Sequence, residues 1–276
     1  MIGSNVAKLL AAPVIVDLKN GFDLRHPRDC EIVKSAMVFD CAAPTEGIGS
    51  NNFSDVARIP LNLLAHKPKH YVYCSSSCVY PDSEEMPIPT NEEWGVMGEP
   101  EKANRGYGWG KRCGELACKY SDVPCTIVRP SNIYGPSYDW SIRHKHVIPS
   151  LIEKMLSGGS ELIVWGNGHQ TRSFMYEEDC ASLIVSLSRH TGTFNLGGEE
   201  ISIGELVSML VDLTGYKGTV IFDDTKPVGP LRKAQDTRRL NHALGAVVLM
   251  PFKEGLRRTV DAAVRNHRTL ESANRA

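Results

Sequence analysis

Five short apolar runs rich in β-branched residues constrain this chain most: Val14-Ile15-Val16, Met37-Val38-Phe39, Tyr71-Val72-Tyr73, Thr126-Ile127-Val128 and Leu162-Ile163-Val164, with segments of helical period between them. Runs that are apolar throughout bury both faces, as strands do in a parallel sheet covered by crossover helices, so the chain reads as α/β. After about residue 136 the character changes. Loops such as Gly135-Pro136-Ser137 and Gly166-Asn167-Gly168 separate helical patterns at 146–157, 177–189 and 203–214, which predicts a smaller cap over the sheet edge.

Charge and cysteine usage narrow the function. Lys plus Arg number 31 against 32 Asp plus Glu in 276 residues, so no general field draws nucleic acid or an anionic membrane, and an anionic ligand must be held by local groups. The eight cysteines form no CxxC pair and most sit in apolar stretches, which argues against zinc and a disulfide framework. No run approaches the ~20 apolar residues of a membrane span, and the N-terminus lacks a basic segment followed by an apolar one; the expected location is the cytoplasm.

The chemistry is concentrated in two stretches. Tyr71-Val72-Tyr73-Cys74-Ser75-Ser76-Ser77-Cys78-Val79-Tyr80-Pro81 is a strand running into a hydroxyl-rich loop, at the carboxyl edge where open α/β sheets bind ligands. Further on, Tyr107-Gly108-Trp109-Gly110-Lys111 places a tyrosine and a lysine four apart, on one helix face. A neighbouring ammonium favours phenolate and so draws a tyrosine toward the working range for proton transfer, while a serine hydroxyl holds a substrate carbonyl.

These stretches resemble the extended short-chain dehydrogenase/reductase family, the NAD-dependent epimerases and dehydratases. Further matches follow in family order: Arg129-Pro130-Ser131-Asn132-Ile133-Tyr134-Gly135-Pro136, Phe174-Met175-Tyr176-Glu177-Glu178-Asp179 and Phe194-Asn195-Leu196-Gly197-Gly198. The resemblance implies a Rossmann-like core, residues 1–135 and 171–198, with a substrate-binding cap, residues 136–170 and 199–276. It selects Ser76, four residues before the loop tyrosine Tyr80, as the orienting donor, with Tyr107 as acid or base and Lys111 as its tuner. It also implies a homodimer through the helix carrying Tyr107.

Within the family the chain is most similar to the GDP-L-fucose synthase branch, which epimerises and reduces GDP-linked 4-keto-6-deoxyhexoses. The features are Cys78 in Ser76-Ser77-Cys78-Val79-Tyr80-Pro81, His146 in His146-Val147-Ile148-Pro149, and the segment Phe222 to Lys233 with Asp236 and Arg239-Leu240. A 4-ketone acidifies the protons on its neighbouring carbons, and a thiol and an imidazole that titrate near neutral pH can remove and return them. The resemblance places Asn132, Val147, Leu151, Trp165, Arg172 and Lys226 at the substrate, with Arg172 and Lys226 toward the pyrophosphate. The pair Ser77-Cys78 lacks the acidic residues of a dehydratase.

The cofactor side departs from the family. Met1-Ile2-Gly3-Ser4 runs directly into a helical pattern and resembles only the end of a dinucleotide-binding fingerprint; Gly3 stands 14 residues before Asp17, against the roughly 20 usual for the ribose-binding acid. The usual first strand is missing, and the stretch from Asn51 to Leu64 is shortened. The resemblance nonetheless assigns Ile2, Gly3, Asp17, Ala42, Ala43 and Lys111 to NAD or NADP, with Asp17 favouring NAD. Three functions follow: a cofactor-dependent epimerase/reductase on a nucleotide sugar, an epimerase working by proton chemistry alone, and a sugar-nucleotide-binding pseudoenzyme. No metal is implied.

Overall fold

The computed structural model describes residues 1–43, 52–141, 146–226 and 228–275. Its main sheet is built from β1 (Met37–Asp40), β2 (His70–Cys74), β3 (Cys125–Pro130) and β7 (Gly192–Leu196), all parallel, in the order β1-β2-β3-β7. Alternation along β2 explains the apolar run: Tyr71 and Tyr73 face one side, Val72 and Cys74 the other, and both sides are covered. Helices α2 (Phe53–Ala65) and α3 (Arg105–Tyr120) bury Ile59, Leu63 and Cys118 on the tyrosine side. Helices α1 (Ile2–Leu9) and α5 (Glu177–Leu187) bury Val6, Ile184 and Leu187 on the other.

Helix α3 carries glycines in its interior, each costing about 0.5–1 kcal/mol relative to alanine. Their use is close approach. A Cβ on Gly108 would stand 2.6 Å from the Cys78 carbonyl oxygen, and one on Gly114 would run into the Tyr73 hydroxyl. The bare face therefore lets α3 lie directly on β2 and on the loop that follows it.

Two of the five apolar runs behave differently from expectation. Val14-Ile15-Val16 is not a strand: Val14 is 73% and Ile15 53% exposed, and no described strand lies between this segment and β1 to offer it a ladder. Leu162-Ile163-Val164 does form a strand, β5 (Glu161–Trp165), but it pairs with β9 (Thr219–Asp223) in a separate parallel ribbon. Its burial alternates, with Leu162 and Val164 inward and Ile163 and Trp165 outward, so it covers the cap core with one face only.

The helical patterns at 146–157, 177–189 and 203–214 appear as α4 (Val147–Leu156), α5 and α6 (Ile203–Thr214). The cap core joins α4, α6 and α8 (Phe252–Arg275) to strands β4 (Asn132–Tyr134), β6 (Thr171–Tyr176) and β8 (Glu199–Ser202), around the ring cluster Tyr134, Phe174, Tyr176 and Phe252. The expected boundaries cut across this packing in two places. Strand β6, assigned to the core, pairs with β4, β8 and the two-residue β10 (Arg232–Lys233). Helix α7 (Arg238–Leu244), assigned to the cap, buries Leu240 against the main sheet.

Beneath the sheet edge, Arg129 and Glu115 form a bidentate ion pair with Nε···Oε1 2.8 Å and Nη2···Oε2 2.6 Å, their side chains 3% and 6% exposed. Removing one partner leaves an uncompensated buried charge. Glu115→Ala is expected to lower the unfolding free energy by about 3–5 kcal/mol. Urea denaturation at constant m measures it, and a loss below about 1 kcal/mol, as for an exposed pair, would contradict this role.

Candidate active site

The loop leaving β2 is braced from below before it reaches the cleft. Ser75 donates from its backbone to Val128 O at 2.8 Å and from its hydroxyl to Glu115. The Tyr80 hydroxyl donates to Asn195 and accepts from Arg129 Nη1 at 2.9 Å, while Arg112 donates to the carbonyls of Val79, Met97 and Gly98. The motif residues Tyr80, Arg129 and Asn195 are thus the foundation of the loop.

On that foundation the structure brings Ser76, Cys78, Tyr107 and Lys111 together. Ser76 Oγ accepts from Cys78 N at 3.1 Å, and its hydroxyl pulls the pKa of both Tyr107 and Cys78 downward. Lys111 is 2% exposed, donates from Nζ to Cys74 O at 2.7 Å and lies 5.8 Å from the centre of the Tyr107 ring.

Two electrostatic expectations are corrected. Tyr107 is raised well above the ordinary phenol range, because burial and the nearby Cys78 and Cys74 outweigh the lowering from Ser76. Lys111 gives its hydrogen bond to Cys74 O, and its charge also acts on the buried Asp40. Cys78 does not titrate near neutrality: burial and the adjacent Glu101 carboxylate push its thiol up to about 12, against the opposing pull of Lys233.

Asp40, Glu101 and Asn104 were missed in the sequence. Asp40 is the last residue of β1 and 3% exposed; it accepts from Tyr71 OH and from Ala42 N at 3.0 Å, and burial raises it although Lys111 opposes. Its signal was an ionisable residue closing an apolar run. Glu101 is 5% exposed, is ion-paired with Lys233 and accepts from Asn104 Nδ2 at 2.6 Å; nothing local distinguishes it from a surface glutamate.

The cap residues are more dispersed. His146 is the exposed residue before α4, surrounded by enough protein that desolvation lowers its pKa. Residues 142–145 before it lie outside the described residues. Val147, in the first turn of α4, is half-buried, whereas Leu151 is 4% exposed within the cap core and presents no surface to a ligand. Trp165 and Lys226 are exposed, and Asn132 donates from Nδ2 to Ser173 O at 3.1 Å. Arg172 is anchored by Nη1 to Thr171 O at 2.7 Å and Pro230 O at 2.6 Å, and burial lowers its pKa while Glu101 opposes.

On the cofactor side, α1 begins at Ile2, and a Cβ on Gly3 would lie 3.3 Å from Cys41 Cβ, the tight helix-to-strand approach expected of the last fingerprint glycine. Ala42 and Ala43 follow β1 half-buried; of the loop Cys41 to Gly49, residues 44–49 fall outside the described residues. Asp17 is exposed and caps a short turn by accepting from Asn20 N at 3.0 Å. All eight cysteines are free thiols.

A parallel sheet whose carboxyl edge gathers serine, tyrosine and lysine in this way defines a dehydrogenase/reductase-type site. The chain matches the NAD dependent epimerase/dehydratase family over residues 1–204 and belongs to it. It is 32% identical over 269 residues to the GDP-L-fucose synthase of Sinorhizobium fredii, covering 87% of this chain and 85% of that protein. Among solved structures, a GDP-L-fucose synthetase from Naegleria fowleri bound to NADP superposes with a TM-score of 0.82 at 21% identity, covering 97% of this chain and 92% of that one. A GDP-6-OMe-4-keto-L-xylo-heptose reductase from C. jejuni gives 0.84 at 17% identity, with 96% and 95% covered.

Asp40 gives a pH signature. Its folded-state pKa is raised above the ordinary 3.8, so its contribution to stability is complete below that pH and is lost as pH rises through the folded value. Relative to Asp40→Asn, wild-type stability should therefore decline as pH is raised from about 4 toward neutrality, by at most ~1.4 kcal/mol per pH unit. Thermal melts of both proteins across that range check the sign; parallel curves would show that Asp40 is not desolvated.

Proposed function

We propose that this chain is an NAD(P)-dependent enzyme that epimerises and then reduces a GDP-linked 4-keto-6-deoxy sugar. The observation that carries the reading is the cluster of half-buried Ser76, Cys78 and Tyr107 around the buried Lys111 at the sheet edge. The similarity to a GDP-L-fucose synthase over most of both chains supports the substrate class.

The residues present fit a nicotinamide dinucleotide at its reactive end: Lys111 is fixed there by Cys74 O with the Tyr107 ring beside it, Gly3 admits close packing of α1, and the small Ala42 and Ala43 follow β1. When bound, that group supplies the hydride for C4. Ser76 orients the C4 carbonyl oxygen and Tyr107, a full phenol at working pH, donates the proton it needs. Arg172, pinned by two carbonyls, and Lys226 receive the pyrophosphate, with Trp165 beside the base or ribose. Cys78 and His146 handle the protons next to the ketone. The Asp17 carboxylate favours NAD by repelling a 2′-phosphate, and tighter binding of NADP would refute that preference.

A second reading, epimerisation by proton transfer alone, is favoured by one observation: the expected second strand Val14-Ile15-Val16 is exposed and irregular. With a GDP-4-keto-6-deoxyhexose, the first reading gives a cofactor-dependent absorbance change. The second gives solvent deuterium in the sugar without one, and a binding-only protein gives neither. Tyr107→Phe is expected to cut turnover by about 10²-fold or more with sugar-nucleotide affinity nearly unchanged; unchanged turnover would refute the role of Tyr107.

A homodimer through α3 belongs to the same reading. Leu116 and Tyr120 on α3 and Leu61 on α2 are exposed apolar residues suited to it. Sedimentation should report a dimer that Tyr120→Glu weakens, and a monomer at all concentrations would exclude it.

A further inference from the structure

Two cysteines outside the Ser76, Cys78, Tyr107 and Lys111 group stand side by side at the carboxyl edge of the main sheet. Strands β1 and β2 run parallel in a register that ends with Asp40 opposite Tyr73, and one further step along each chain places Cys41 beside Cys74. Both lie on the side covered by α1 and α5. Cys74 belongs to the apolar layer there with Val6 and Val72, and Cys41 packs against that layer, its Cβ 3.3 Å from where a Cβ on Gly3 of α1 would stand. Neighbouring strands lie about 4.7–4.9 Å apart, inside the ~4.4–6.8 Å between Cα atoms that a disulfide spans. Cys41 is half-buried and Cys74 buried. A third thiol in the layer, Cys180, is fully buried and comes from α5 rather than from a neighbouring strand.

We propose that Cys41 and Cys74 form a reversible dithiol switch: oxidation by a hydroperoxide joins them in a disulfide, which displaces the end of β2 and silences the site above it. The link from sulfur to site is the Cys74 main chain. Its carbonyl accepts from the Lys111 ammonium at 2.7 Å, and the loop bearing Ser76 and Cys78 begins at the next residue. Drawing Cys74 toward β1 therefore moves the acceptor that fixes Lys111 together with the root of the loop. The two thiols are unequally disposed to react. Cys41 and Lys111 favour the thiolate of Cys74 against its burial, while Cys74 and burial hold Cys41 as a thiol. The Cys74 thiolate attacks the hydroxyl oxygen of the hydroperoxide; the O–O bond breaks, the sulfur is oxidised to a sulfenic acid, and the departing oxygen takes a proton and leaves as water or an alcohol. The Cys41 sulfur then attacks the sulfenic sulfur; the S–O bond breaks, and the hydroxyl leaves as water with the proton that Cys41 gives up. Two thiols have become one disulfide, and one hydroperoxide has been reduced. Cys78 competes poorly for the oxidant, because its thiol is pushed up to about 12 and only thiolate attacks.

The effect of the bond on turnover rests on the function proposed above; the bond itself does not, and is measured without substrate. The full chain is treated with hydrogen peroxide, its remaining thiols are alkylated, and its tryptic peptides are mapped by mass spectrometry without reduction. The expected product joins the peptide of Cys41 to that of Cys74, and dithiothreitol removes it. Fragmentation assigns the bond to Cys74 rather than to Cys78, which shares its tryptic peptide. Absence of that product, or a bond from Cys74 to Cys180 or Cys78 in its place, overturns the proposal. Turnover of a GDP-4-keto-6-deoxyhexose should fall by about 10²-fold at full bridging, as for a misplaced catalytic group, and return with dithiothreitol. Cys41→Ala should keep its own untreated rate after peroxide, whereas Cys125→Ala, which removes a thiol packed on the opposite face of the sheet, should stay as sensitive as wild type. Loss of turnover in peroxide-treated Cys41→Ala, or a bridged wild type that works at full rate, overturns the switch. If Cys41→Ala does not fold, Cys41→Ser carries the same expectation. A reduced wild type without turnover refutes the function proposed above, and the mapped bond then decides for or against the dithiol pair by itself.

Discussion

The site stands on the ion pair between Arg129 and Glu115. The guanidinium is shared among Glu115, Tyr80 and the Glu92 carbonyl, and Glu115 also receives the Ser75 hydroxyl. Strand β3, helix α3 and the loop after β2 are thereby locked to one point. The pair is buried in the sheet edge, where its desolvation is offset only because nearly every donor and acceptor is used. Asn195 closes the network from β7 by bonding Tyr80, Thr90 O and Asp236 O. Residues quoted as a family signature thus serve geometry, holding Ser76 and Cys78 where α3 can meet them.

Burial, more than pairwise charge, sets the chemistry above this base. Lys111 was expected to draw Tyr107 toward phenolate, but its ammonium is bonded to Cys74 O, and desolvation holds the phenol up. Cys78 is treated the same way, with Glu101 adding to the effect. Both side chains are therefore biased toward their protonated states.

Much of this was legible in the sequence. The runs at 37–39, 71–73 and 126–128 became adjacent strands of one parallel sheet, and the helix at 203–214 was bounded by a Ser202 and Glu205 capping box and by Gly215. Periodicity failed where the neighbour decides: Val14-Ile15-Val16 has strand composition and no ladder beside it, and Leu162-Ile163-Val164 pairs outside the main sheet. Ser76 and Cys78 in one local stretch and Tyr107 and Lys111 in another could be singled out from sequence, and the fold brings the two stretches together. Glu101 with Lys233, 132 residues apart, and Asp40 with Tyr71 were invisible because only the tertiary fold creates their burial. Leu151 was placed at the ligand by resemblance, yet helical phase turns it into the cap core.

Helix α3 carries Tyr107, Lys111, the glycines that seat it and the anchoring Glu115. Trp165, Lys226, Val228 and Leu231 lie instead on the open rim of the cap. The two regions therefore differ in how freely they can vary. Changes at the buried positions of α3 disturb the fold and the Ser76, Cys78, Tyr107 and Lys111 cluster at once, while the exposed cap positions can be rewritten residue by residue. A scaffold divided in this way is readily diversified, since sequence can change at the exposed cap positions while the buried face of α3 keeps the fold.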